Sequence, residues 1–402
     1  MSVLIALLGL GLLIFVHESG HFFASLAVGL RPRRFYVGFP PALVKVKRNG
    51  IEYGVSPIPL GGFVSIPGMH RPIPHDAERR FSRAVSEAPG LAGPVERVKR
   101  ALAGDDLQAT LPALDALEEA MRDRTLSPGA VTSADKGFTE LRDALGPDAY
   151  WKAATWRRLV AIGAGPAANV VLALVLMSAL FMTSAGKATS TVESVDRGSP
   201  AQAAGLRPGD RVVAINGVRV GASDIADHIT GSNGSKLVVE VVRDGQETRL
   251  APVSARPIDG VYRLGFVLRG RALGPVEAVG QSFRVTGIIM GDIGRSLGRL
   301  ATGSGRKDVS SPIGITKASS DAVQQGTTSY LWVLAVISLS IALLNLLPLL
   351  PLDGGHILFT LIEGARGRFV KREIYERVSV VGLAVVLLLF FIGLSNDIGR
   401  LS

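Results

Sequence analysis

The sequence predicts a multi-pass α-helical membrane protein: about four transmembrane helices, a membrane-associated β-hairpin, a helical soluble insert and a small α+β domain. Three observations carry this. Four apolar runs approach or exceed the roughly 20 residues that a bilayer crossing takes. Between the first two runs, short strand-like stretches punctuated by Gly and Pro give way to charged segments with helical spacing. Between the second and third, strand patterns alternate with tight-turn pairs. The 402 residues are 47% hydrophobic and 19% charged, which fits a chain partly in lipid. The absence of cysteine excludes disulfides, a thiol nucleophile and cysteine-ligated zinc. Much of the net charge of +10 flanks the apolar runs, where it sets topology. With no basic helix or aromatic platform visible, no nucleic acid is expected.

Residues 1–28 form the first span. No basic region precedes it and no A-x-A site follows, so it reads as a retained helix rather than a signal peptide. It contains Phe15-Val16-His17-Glu18-Ser19-Gly20-His21, an H-E-x-x-H motif. Helix positions four apart share a face, so His17 and His21 can hold one metal ion from one side. Glu18 then stands beside it as a general base, which is half of a zinc hydrolase site. Such a pair can also be packed polar residues. Inside a membrane span, however, ionisable side chains are costly and mark function. Arg31, Arg33 and Arg34 place this end of the span toward the cytoplasm.

Residues 29–69 hold strand candidates at Phe35 to Phe39, Leu43 to Lys47 and Ile51 to Val55, then Pro57, Pro59, Gly61 and Gly62. They predict a β-hairpin and loop, either purely structural or able to align an extended substrate by strand addition. Residues 70–156 form the soluble insert, with two or three short amphipathic helices broken at Pro89-Gly90, Ser127-Pro128-Gly129 and Gly146-Pro147. His70 and His75 lack a partner cluster in the sequence and read as solvated. The second span occupies 157–186 and carries small residues from Gly163 to Ala168, then Asn169, an amide that needs a partner.

Residues 187–270 form the small α+β unit, with strands at Val192 to Val195, Val212 to Ile215 and Leu237 to Val242. Asn216-Gly217 and Asp244-Gly245 supply its turns. Residues 271–328 predict a surface-lying amphipathic helix and a polar linker. The third span, 329–362, is interrupted by Pro348, Pro351, Gly354 and Gly355. Broken backbone at that depth is tolerated where it is buried in protein or lines a wet cavity. Asp353 is the only carboxylate between Tyr330 and Ile362, and it and His356 are both candidates for a third metal ligand. A basic loop (Arg366, Arg368, Lys371, Arg372) and a fourth span fill 363–402.

Two resemblances follow from these motifs. Ser199 to Asp210 reads S-P-A-x-x-A-G-L-x-x-G-D and leads into a hydrophobic strand and Asn216-Gly217, which resembles a bacterial PDZ domain. That implies a groove for an extended peptide or a C-terminal tail. His17-Glu18-x-x-His21, Gly165-Pro166-x-x-Asn169, and Asn345-x-x-Pro348-x-x-Pro351-Leu352-Asp353-Gly354 together resemble the signature of the site-2 protease family, in its order. With the PDZ-like unit between the second and third spans, the chain resembles the bacterial branch that cleaves membrane-anchored anti-sigma factors. The resemblance implies Zn2+ held by His17, His21 and Asp353, Glu18 as catalytic base, and Asn345 and Asn169 as substrate-binding residues. It also implies a single-pass membrane-protein substrate and a place in the bacterial cytoplasmic membrane. The active site would lie toward the cytoplasmic half and the PDZ-like unit outside. Residues 76–148 depart from that branch. A catalytically inactive scaffold would have no use for Glu18, and a zinc transporter would call for polar residues along a path that the fourth span lacks.

Overall fold

The computed structural model describes every residue except 40, 57, 105, 184–185, 259–260, 307–308 and 402. Pro57, one of the expected loop breakers, lies outside the described residues. The chain divides into two units, Met1–Ala173 with Ile289–Ser402, and Leu174–Ile288. Among the described residues, four helices are long and apolar enough to cross a membrane: α1 (Ser2–Ala27), α6 (Thr155–Phe181), α11 (Thr327–Asn345) and α13 (Arg372–Leu401). At 1.5 Å per residue, the shortest spans about 28 Å, close to the hydrocarbon thickness.

In the first unit, α1 leads into β1 (Arg34–Phe39), β2 (Val44–Arg48), β3 (Ile51–Val55) and β4 (Ile58–Ser65). The expected hairpin is only part of what forms there. β2 and β3 make it, turning at Asn49 and Gly50 with φ of 52° and 79°. β1 then pairs parallel with β3 and antiparallel with β4, giving a four-stranded mixed sheet in the order β2-β3-β1-β4. Alternation explains the extra strands. Phe35 packs on Phe22 of α1 with ring centroids 5.1 Å apart, while Tyr36 on the opposite face stacks on Phe63 at 5.0 Å. β2 is exposed along its length, and its Lys45, Lys47 and Arg48 guard that edge.

The insert folds into α2 (Pro74–Glu87), α3 (Ala92–Ala103), α4 (Thr110–Arg122) and α5 (Pro128–Leu145), more helices than its breaks suggest. Phe81, Leu91, Val98, Leu114, Leu117 and Phe138 build a core of its own. Arg33, just after α1, ties to Asp143 and Asp148, each at 2.8 Å. His75 is exposed, but His70 is not solvated as expected: it is partly buried, its ring 4.7 Å from that of Tyr375. That contact spans the sequence and leaves no local sign.

In the second unit β5 (Lys187–Val195), α7 (Pro200–Ala203), β6 (Arg211–Ile215), β7 (Val218–Arg219) and α8 (Ile225–Thr230) come first. β8 (Lys236–Leu237), β9 (Val239–Arg243), β10 (Gln246–Arg249), β11 (Val253–Ser254), β12 (Arg256–Ile258), β13 (Val261–Arg263) and β14 (Phe266–Arg271) complete it. The main sheet runs β10-β9-β6-β5-β14, with β7 on β6. Asn216-Gly217 and Asp244-Gly245 take positive φ and turn it. Burial disfavours a charge on Asp210, but the Arg243 guanidinium and the Arg207 amide outweigh it and hold that carboxyl below its usual range.

The amphipathic helix α9 (Pro275–Ala301) forms as expected. The linker expectation is incomplete: α10 (Pro312–Gln325) follows, capped by Ser311 and by Asp397 of α13, whose carboxylate accepts from the Ser311 amide at 2.7 Å. α11 then stops at Asn345, and the chain restarts as α12 (Asp353–Arg366). Pro348 and Pro351 in the interval cannot donate backbone hydrogen bonds, which is why no single helix runs through.

Candidate metal centre

His17 and His21 sit one turn apart on α1, both buried, with their Nε2 atoms 3.2 Å apart. Asp353, the first residue of α12, brings Oδ2 to 3.2 Å from His17 Nε2 and 3.3 Å from His21 Nε2. Among the described residues this is the only group of three or more His, Asp or Glu side chains whose ligand atoms lie within 4.8 Å of one another. The break after α11 makes it possible, because it lets a new helix begin beside α1.

The imidazoles are oriented from behind by α6. His21 Nδ1 lies 3.0 Å from the Ala161 carbonyl oxygen, which can only accept, so Nδ1 carries the proton and Nε2 a lone pair. His17 Nδ1 lies 3.4 Å from the Asn169 side-chain amide. Asn169 is fully buried, and its Oδ1 has no partner among the described residues where Nδ2 faces the ring. The two amide ends have the same shape, and presenting the oxygen to Nδ1–H satisfies both groups and leaves His17 Nε2 free as well. Ser338 of α11 donates to the Asn169 backbone oxygen at 2.8 Å and fixes that stretch of α6.

Three acceptor atoms therefore converge with no donor between them, and Asp353 Oδ2 has no hydrogen-bond partner among the described residues. Facing lone pairs repel, and a cation removes the conflict. The separations also fit zinc: ligands about 2.0–2.1 Å from a tetrahedral ion stand about 3.3 Å from one another. Two imidazoles and one carboxylate leave a fourth position open, the ligand count of catalytic rather than structural zinc sites.

Glu18 follows His17 and is half-buried. Gly62 of β4 packs against it, and a Cβ there would lie 2.8 Å from Glu18 Cγ. Gly165 of α6 makes room for His21, since its Cβ would lie 2.2 Å from Nε2. Asn345 is not part of the cluster. Its Nδ2 donates to the Ile341 carbonyl of its own helix at 3.0 Å. His356 also stands outside, its ring 6.4 Å from that of Tyr375. The sequence reading missed Ala161, Gly62 and Ser338 as supports. Only Ser338, a hydroxyl in an apolar run, carried a signal.

Acceptors gathered between membrane-length helices, with a spare carboxylate alongside, define a class: a metalloprotease built into the bilayer. Comparison with known proteins places the chain within it. The protein belongs to peptidase family M50, whose profile matches residues 5–389. Zinc metalloprotease RasP of Geobacillus kaustophilus is 28% identical over 99% of this chain and 98% of its own length. The RasP of Shouchella clausii is 26% identical over the full length of both. An Agrobacterium fabrum protein, provisionally named a zinc metalloprotease, is 30% identical over 98% of this chain and 95% of its own. The protein is accordingly a multi-pass membrane zinc metalloprotease.

Proposed function

We propose that this protease cuts a peptide bond in or near the transmembrane segment of a single-pass, membrane-anchored regulator of the anti-sigma-factor type, in regulated intramembrane proteolysis. The observation that supports this best is the triangle of acceptor atoms formed by His17, His21 and Asp353 between apolar helices. In this reading those three side chains hold zinc. When bound, the ion supplies Lewis acidity, polarising the scissile carbonyl and making water nucleophilic near neutral pH. Glu18 takes a proton from the attacking water and delivers it to the leaving amide nitrogen. Asn169 positions His17 rather than touching substrate. Asn345 keeps its Oδ1 for the substrate backbone, since its Nδ2 is engaged.

A helical substrate hides its carbonyls, so it must be drawn out before cleavage. Among the described residues β4 pairs with β1 alone, which leaves its other edge for strand addition, and its Gly62 lies beside Glu18. Residues 187–270 act as a PDZ-like unit outside the cell that takes a peptide or C-terminal tail. The basic loops after α1 and before α13 support a zinc site toward the cytoplasmic half. The boundaries given above for the spans, insert and PDZ-like unit belong to this reading.

The test is Glu18→Gln in purified full-length protein, assayed on a membrane-anchored reporter. Loss of general-base catalysis costs typically 10²–10⁴-fold in rate, while zinc content stays near one equivalent. Cleavage within tenfold of the wild type would refute the assignment.

A further inference from the structure

A cavity of about 380 Å³ lies away from the zinc ligands where the helical insert meets the start of α13. That volume falls in the range of small-molecule sites. Four cationic side chains line it, Arg71, Arg158, Lys371 and Arg372, against the single carboxylate of Glu363. Arg372 is gripped by Asp76 and by Glu376, neither of which lines the cavity. Counting both, one positive charge remains in excess. Arg71 and Lys371 have no carboxylate partner among the described residues, and both are exposed. Arg71 lies 6.0 Å from the centroid of the Trp151 ring.

Arg158 is the informative member. It is 4% exposed, and its Nη2 donates to Glu363 Oε2 and to Thr360 Oγ1. The other Glu363 oxygen accepts from the Val370 amide at 3.0 Å. Among the described residues Arg158 Nε has no hydrogen-bond partner, although the guanidinium carbon lies 5.1 Å from the centroid of the Tyr150 ring. An unpartnered guanidinium donor buried at a cavity wall is costly unless an acceptor arrives. Two helices, α2 and α13, also begin at this cavity and turn their positive ends to it. His70 on the wall is pushed down to about 4 by burial and then by Arg372, so it adds no positive charge near neutral pH.

From this we infer that the cavity binds a phosphate-bearing anion, with Arg71 and Lys371 at its mouth and Arg158 at its base. Position favours a lipid source, because α6 and α13 both start here and span ends lie at headgroup level. A dissolved phosphate has the same chemistry. The site depends on the helical insert, which supplies Ile73, Leu102 and Ala103 to the wall, and so gives that insert a role beyond its own core.

Full-length protein in phosphatidylcholine nanodiscs, with or without phosphatidate, tests this through the rate of Lys371 acetylation read by mass spectrometry. Lys45 and Lys47, exposed on β2, serve as internal references. Phosphatidate should slow Lys371 labelling about tenfold and leave the references unchanged. Arg71→Ala should restore the rate, and Arg71→Lys should keep part of the protection. If millimolar inorganic phosphate protects Lys371 in phosphatidylcholine discs as well, the ligand is a soluble phosphate. Labelling unchanged by both probes, equal slowing at Lys45 and Lys47, or protection that survives Arg71→Ala would each overturn the inference.

Discussion

Replacing Gly165 by alanine adds one methyl group, 2.2 Å from His21 Nε2. Ordinary contact begins near 3.4 Å, so about 1.2 Å must be found. The ring is held from behind at Ala161, and α6 is pinned to α11 by Ser338, so the movement falls on Nε2 itself. Metal ligands tolerate displacements of only about 0.2 Å. The shift therefore removes one of three ligands, and zinc affinity should fall by at least about 100-fold, beyond the 10–100-fold typical of losing a supporting residue. Gly163→Ala is the control. Its Cβ meets nothing within 4 Å, and alanine is the better helix former by about 1 kcal/mol. Zinc would be measured by chelator competition on detergent-purified protein, with thermal midpoints to confirm folding. If the Gly165→Ala protein held zinc within twofold of wild type, the packing of His21 against α6 would be wrong.

Three further outcomes are expected. Asn169→Ala takes away the acceptor that fixes the His17 tautomer and should weaken zinc binding about 10–100-fold by the same competition assay. Glu363→Ala strands Arg158 in a buried site, which should destabilise by about 3–5 kcal/mol, read as a lowered thermal midpoint. His70 is held near 4 against an ordinary value of 6.5, by burial first and Arg372 next, opposed by Glu363 and Asp76. Folded protein binds that proton more weakly than unfolded, so its contribution is full above pH 6.5 and is lost as pH falls from 6.5 toward 4. His70→Gln should make the thermal midpoint less acid-sensitive between about pH 6.5 and 5, a difference of about 2 kcal/mol.

The chemistry-bearing residues stood out in the sequence because lipid makes them conspicuous. Two histidines and a glutamate in one apolar run, and a lone aspartate at a break in another, need a reason to be there. The spans were legible for the same cause, as were the turns at Asn216-Gly217 and Asp244-Gly245, where positive φ selects the residues. Long-range pairing was not legible. Nothing in Phe35 to Phe39 or Ile51 to Val55 announces that they run parallel, and nothing near His70 announces Tyr375. α10 escaped although Ser311-Pro312 is a helix-start signal, because its polar residues blend with the linker before it. Asn169 was visible as an amide wanting a partner, but only the fold brings it to His17.

The break that lets α12 begin beside α1 has a temporal side. Asp353 emerges about 330 residues after His21. At roughly 5–20 residues per second, that is a delay of about 15–70 s. If all three side chains are required, a nascent chain with α1 already inserted stays harmless to its neighbours through that interval. It gains the power to cut only once its third span has arrived, so synthesis itself acts as a safety catch.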